Sequence, residues 1–220
     1  MEKSSNLKSS LGKLLTALFD LMLLNLLWII CSIPLLTMGT ATSALFSVML
    51  KVARSEQVST LTDFFKAFKN NFKQSFVLGL IGFAGAFVAY MDISYGLSQT
   101  GTQKILFLIV GGIVAAIWLI FTTYVYPLQG RFENTVKGHI KNAFALAVCN
   151  PGKTILMGFV TLVPWILFLF LPWIAVAYIG WAYLLFAISA PAYFNCKTLR
   201  LIFDKMTVST VPTGDKNDET

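Results

Sequence analysis

The stretch "LLNLLWIICSIPLLTMGTATSALFSVMLK", residues 23–51, is apolar up to its closing Lys51 except for Asn25, the bend at Pro34 and a cluster of threonines and serines. Its reading decides the fold, because it can cross a membrane once, go in and return, or stay in water. Composition removes the last option. With 56% hydrophobic residues, 12% charged residues and a mean hydropathy of +0.72, 220 residues cannot form a soluble globule with a charged skin. In lipid every backbone group has to be satisfied internally, so the expected fold class is all-α, a polytopic transmembrane helical bundle.

Further along, residues 155–194 carry no charged side chain. About 40 residues at the helical rise cover roughly 60 Å, twice a ~30 Å hydrocarbon core, so this run is expected to form two spans. A break at "LFLPW" (169–173) fits, since Pro172 lacks an N–H and Trp165 and Trp173 suit the headgroup level. Residues 76–95 and 105–126 each have the length of one span. A cleaved signal peptide is a poor account of the N-terminal segment: Asp20 and Asn25 interrupt its apolar run, Pro34 follows it, and Ile30 precedes Cys31 where a lipoprotein signal needs a small residue.

All but Lys104 of the 17 basic residues fall in four groups, within residues 3–13, 51–73, 131–153 and 197–216. The positive-inside rule then places both termini, residues 51–74 and residues 130–153 in the cytoplasm. The chain must return before Lys51, so the opening stretch is a helical hairpin or a re-entrant element. Residues 14–33 are long enough to cross, whereas the returning arm, about 40–51, covers only ~18 Å. Six membrane segments are expected with the second one short, the alternative being a half-membrane loop buried against the other helices.

With the hairpin in view, "NLLWIICSIPLLTMGTATSAL" resembles the signature of the YesL family of uncharacterised bacterial integral membrane proteins, carried here by Asn25, Trp28, Pro34, Thr37, Gly39, Ala41 and Ala44. The resemblance continues in "DFFKAFKNNFKQS" (63–75) and "YVYPLQGRFENT" (124–135). It implies a small multi-pass plasma-membrane protein of Gram-positive bacteria, of a family often encoded beside genes for uptake and breakdown of plant-type oligosaccharides. It implies no catalytic residue.

On a helical wheel Leu61, Phe64, Phe65, Phe68, Phe72 and Phe76 share an arc of about 120°, with Lys66, Lys69 and Lys73 along one side. Residues 60–76 therefore read as an amphipathic helix in the cytoplasmic interface, rings at the acyl boundary and lysines toward anionic headgroups or a partner protein. Thr60 and Asp63 offer a capping box at its start. In "RFENTVKGHIKNAFALAVCNPGKT" (131–154), Phe132, Val136, Ile140, Phe144 and Ala147 form a helical stripe that "NPG" ends. The closing "GKT" is not a P-loop, since Ala147 stands where the first glycine belongs and no strand precedes it. His139 falls on the polar side of this helix without ligating neighbours, three cysteines are too sparse for a metal site, and no catalytic pattern appears. Neither an enzyme nor a cofactor, metal or nucleic-acid partner is expected.

Intramembrane polarity asks for a reason. Asp20 and Asn25, about 140° apart on the wheel with Trp28 between them, are the candidate polar site, either as hydrogen bonds to neighbouring helices or as part of a substrate path. Asn25, Trp28, Pro34, Thr37 and Gly39 form the candidate hairpin site, with Gly39 supplying backbone freedom. Gly82 with Ala86, and Gly111, Gly112, Ala115 and Ala116, offer close helix packing. The expected organisation is a single membrane domain over 1–205 and a disordered cytoplasmic tail over 206–220. The expected role is an accessory or partner-binding component of oligosaccharide uptake, working with a sugar transporter or a signalling membrane protein. A small transporter or permease subunit in its own right is the alternative. The oligomeric state stays open.

Overall fold

Pro34 sets the first reversal. The computed structural model, which describes residues 2–170, 180–182 and 184–209, begins with helix α1 (Glu2–Ser32), which stops two residues before the proline. Pro34 is extended (φ −74°, ψ 108°) and is followed by a single 3-10 turn, Leu35–Thr37. Thr37 Oγ1 lies 2.6 Å from the Cys31 carbonyl and 2.8 Å from that of Pro34, so its proton serves carbonyls that the broken helix leaves free. Helix α2 (Met38–Ala53) then runs back. It ends in a Schellman motif: Ser55 and Glu56 donate their N–H groups to Val52 and Lys51, at 2.9 and 3.1 Å, with Ser55 in the left-handed region at φ 59°.

Helices α3 (Thr60–Ser98) and α4 (Gly101–Arg131) form a long antiparallel hairpin joined by two residues, with Gly101 at φ +63°. In α5 (Val136–Cys149) Thr135 caps the N-terminus by accepting from the Gly138 N–H at 3.1 Å. Its stripe packs inward as the spacing required, Phe132, Val136, Ile140 and Phe144 against the core and Ala147 within it. Pro151 opens α6 (Pro151–Phe170), which turns through 110° from α5. Helix α7 (Ser189–Ser209) completes the described structure, running past the expected domain boundary at 205, while the rest of the tail and the expected break at Pro172 lie outside the described residues.

Four helices, α1 to α4, are long and apolar enough to cross a membrane, and up to five if α5 and α6 make one broken span. Two expectations about elements are corrected. The returning arm is not confined to 40–51: with the 3-10 turn it fills Leu35–Ala53, 19 residues, and the Thr42 hydroxyl bonds back to the Met38 carbonyl instead of breaking the helix. Nor is there a separate interfacial helix over 60–76. Residues 60–98 form one 39-residue helix, and Phe64, expected at the acyl boundary, is fully buried in the core while Phe65 on the same arc is exposed.

Helix α2 is the hub. Over its apolar stretch 56% is buried, against 22% for α1, 17% for α3 and 11% for α4. Small residues let its neighbours close in. A Cβ placed on Gly39 would lie 2.7 Å from Gly79 Cα, and one on Gly130 would lie 2.8 Å from the Ser47 nitrogen. Gly79 sits about halfway along α3, so the α1–α2 tip meets α3 near its midpoint and about 19 residues, ~28 Å of helix, continue beyond it. At the opposite end, Arg131 stacks on Phe132 and Phe203 (5.3 and 5.4 Å) and pairs with Asp204 at 3.4 Å, while Arg200 donates to the Ala53 carbonyl at 3.1 Å. These contacts tie α2, α4 and α7.

Candidate functional site

Asn25 is completely buried on α1. Its Nδ2 donates to the Leu184 carbonyl at 2.6 Å, and its Oδ1 accepts the N–H groups of Ile188 and Ser189, both at 3.0 Å. These groups flank the turn at 187–188, where one helical stretch stops and α7 starts. One side chain thus satisfies a carbonyl at the end of one helix and amides at the start of the next. The task needs a donor and an acceptor on the same short side chain, which asparagine has and aspartate or leucine lacks.

Asp20 does not join it. Its Oδ1 accepts from Thr60 Oγ1 at 2.5 Å, fixing α1 to the start of α3. The candidate polar pair is therefore two separate ties to two neighbours. The same bond replaces the expected capping box, because the hydroxyl of Thr60 is spent on Asp20. Ser59 is the N-cap residue, its N–H donating to Asp63 Oδ2 at 3.3 Å, and Asp63 also pairs with Lys51 at 3.3 Å.

The hairpin residues do come together. Trp28 Nε1 donates to Thr42 Oγ1 at 3.0 Å, and Thr42 in turn donates to the Met38 carbonyl at 2.7 Å, locking α1 to α2 just below the turn that Pro34 and Thr37 make. Gly39 stands in this group for a different reason than expected. It is helical with negative φ, and what excludes a side chain is the α3 backbone, with Gly79 Cα 2.7 Å and the Ser75 carbonyl 2.8 Å from where a Cβ would stand.

Beside the Gly39–Gly79 crossing lies a cavity of about 320 Å³. Trp28, Trp118 and Trp165 are part of its wall, and no charged residue lines it among the described residues. Trp118 Nε1 donates to the Gly82 carbonyl at 2.7 Å, and Thr161 accepts from Asn195 Nδ2 at 2.9 Å. Among wall residues, Thr123 Oγ1 and Asn195 Oδ1 are buried without a partner among the described residues, and the hydroxyl of the buried Tyr126 makes no hydrogen bond there either.

Lys66, Lys69 and Lys73 are exposed on α3, while Phe64, Phe68, Phe72 and Phe76 form a ladder of rings spaced 5.8–6.2 Å. The motif-matching reading missed Ser75 and Gln129, buried and bonded to each other at 3.0 Å, with Gln129 continuing to Gln74 at 3.4 Å. Only the uncharged Gln129 between Leu128 and Gly130 signalled this bond. His139, expected among solvated lysines, is 1% exposed because its face of α5 turns inward with Ala143 and Leu146.

An all-helical chain with several helices of membrane-crossing length and composition, held by buried polar ties, is a membrane-protein bundle. A family model described as "Protein of unknown function, DUF624" matches residues 21–93, from the Asn25 clasp through α2 and most of α3. The chain is 27% identical over 153 residues to the uncharacterized protein YesL of Bacillus subtilis (strain 168), an overlap covering 68% of this chain and 72% of that protein. The chain is thus similar to YesL over about two thirds of its length. No solved structure matches it significantly.

Proposed function

We propose that this YesL-like protein is a non-catalytic accessory of the plasma membrane that binds a partner, a component of oligosaccharide uptake or a signalling membrane protein. The observation that carries this reading is where the polarity of the signature hairpin goes. Asn25, Trp28 and Thr37 spend their donors on the protein itself, so the motif that marks the family is a structural pivot rather than a solute filter. The large apolar surface left on α3 and α4, with residues such as Phe83, Phe87, Ile109 and Ile113 exposed, serves lipid or another membrane helix. The exposed lysines of α3 suit anionic headgroups at the cytoplasmic face.

Both termini are cytoplasmic in this reading, and the chain makes about six membrane segments. The midpoint meeting of the α1–α2 tip with α3 favours a re-entrant first pair. Photocrosslinkers placed at Phe87 and Ile113 in native membranes test the role: an adduct with a sugar-uptake or signalling membrane protein is expected. Uptake of an oligosaccharide by proteoliposomes holding this protein alone would overturn it in favour of a small transporter. That second reading rests on the cavity with its three tryptophans.

A further inference from the structure

We infer that the cavity beside the Gly39–Gly79 crossing is a binding site for a neutral amphiphile of the bilayer, an apolar chain bearing a hydroxyl group. Size is the first argument, since about 320 Å³ is within the range of ligand sites and well above that of a packing defect. Access is the second. Leu35, Phe83 and Trp165 line the cavity and are also strongly exposed, so its mouth opens among side chains that face lipid.

The wall then selects the occupant. Among the described residues it holds no charged side chain, so a phosphate or carboxylate headgroup entering it would lose its hydration without gaining a partner. Most polar groups in it are already used: Trp28 and Thr42 bond each other, Trp118 bonds Gly82, Thr161 bonds Asn195. A sugar ring, which needs a hydrogen bond for nearly every hydroxyl, would be left unsatisfied. What remains is the Tyr126 hydroxyl, on a side chain more than nine-tenths buried and without a hydrogen-bond partner among the described residues. Tyr126 lies against Gly82, itself a wall residue. One alcohol group meets that residual demand, and the tryptophans and Phe46 cover the chain. The inference goes beyond the accessory role, which would stand if the cavity proved empty of lipid.

The probe is 11-bromoundecan-1-ol, titrated into the full-length protein in nonionic detergent while tryptophan emission is followed, since three of the five tryptophans line the cavity. Saturable quenching reversed by 1-undecanol is expected. 1-Bromoundecane, the same chain without the hydroxyl, should bind roughly fivefold more weakly, the value of about one hydrogen bond, and 11-bromoundecanoate at pH 8 more weakly still. Tyr126→Phe should bring the alcohol to the affinity of the bromoalkane while leaving the bromoalkane unchanged, a split that a purely structural role of Tyr126 would not produce. Unsaturable quenching, equal affinity of alcohol and bromoalkane, or tight binding of the carboxylate overturns the proposal. Displacement of the probe by dioleoylglycerol or by geranylgeraniol supports it and tells a two-chain from an isoprenoid source, whereas displacement by neither overturns it.

Discussion

Asn25 holds three backbone groups at once, so Asn25→Leu strands the Leu184 carbonyl and the N–H groups of Ile188 and Ser189 together. Unsatisfied buried groups cost about 1–3 kcal/mol each, so a fall of several degrees in the detergent melting temperature is expected, with the start of α7 loosened in hydrogen exchange. An unchanged melting temperature would mean that water takes over the bonds. Gly39→Ala should cost about 1–3 kcal/mol and Gly39→Val more, because the obstructing atom is the Gly79 backbone, which cannot rotate away. Gly112→Ala, with nothing within 4 Å of the new methyl, is the matched control and should be neutral or stabilising. If the two alanine variants melted alike, the crossing would not be close. Ser55→Gly should stabilise the end of α2 by about 1 kcal/mol, since glycine adopts φ 59° without a side-chain penalty. The sequence marked Asn25 and Gly39 because buried polarity and glycine are costly in a span. It hid their reasons, because the partners lie 159 or more residues away for Asn25 and across a helix crossing for Gly39.

Elements were most legible where their cause is local. The break at Pro34, the inward stripe of α5 and its end at "NPG" all follow from residues within a turn of the feature. The phenylalanine arc misled because amphipathicity cannot say whether rings meet lipid or protein, and Phe64 meets protein. The depth of the first hairpin is likewise set by packing. With Gly39 against Gly79, the tip stops about 28 Å of helix short of the α3–α4 turn, nearly the thickness of a hydrocarbon core. In a background with Cys31 and Cys149 replaced, a cysteine at Leu36 should therefore resist a membrane-impermeant maleimide added outside, whereas one at Gln99 should react. Fast labelling at position 36 would show a hairpin that crosses fully.

At the scale of the whole molecule, the proposed orientation rests on a charge asymmetry that no single helix displays. The α3–α4 turn, residues 99–100, is flanked by Lys104 alone, while the other ends of these helices carry Lys66, Lys69, Lys73 and Arg131. In the proposed orientation, the apolar exposure along both helices, from Leu80 to Leu97 and from Ile105 to Ile117, puts the turn at the far side of a bilayer from those charges. Arg131, Asp204 and Arg200 fasten α4 to α7 at the charged end, so α7 ends on that same side. A reporter fused at residue 100 should accordingly be active only outside the cell, and reporters at 62 and 140 only inside. Residue 62 is the informative position. It sits in the first turn of α3, after an α1–α2 pair that returns to its starting side whether it crosses twice or dips and comes back. An external signal there would require a single net crossing before α3, which is incompatible with the antiparallel seating of α2 between α1 and α3 and with the Asp20–Thr60 bond that joins the first and third helices.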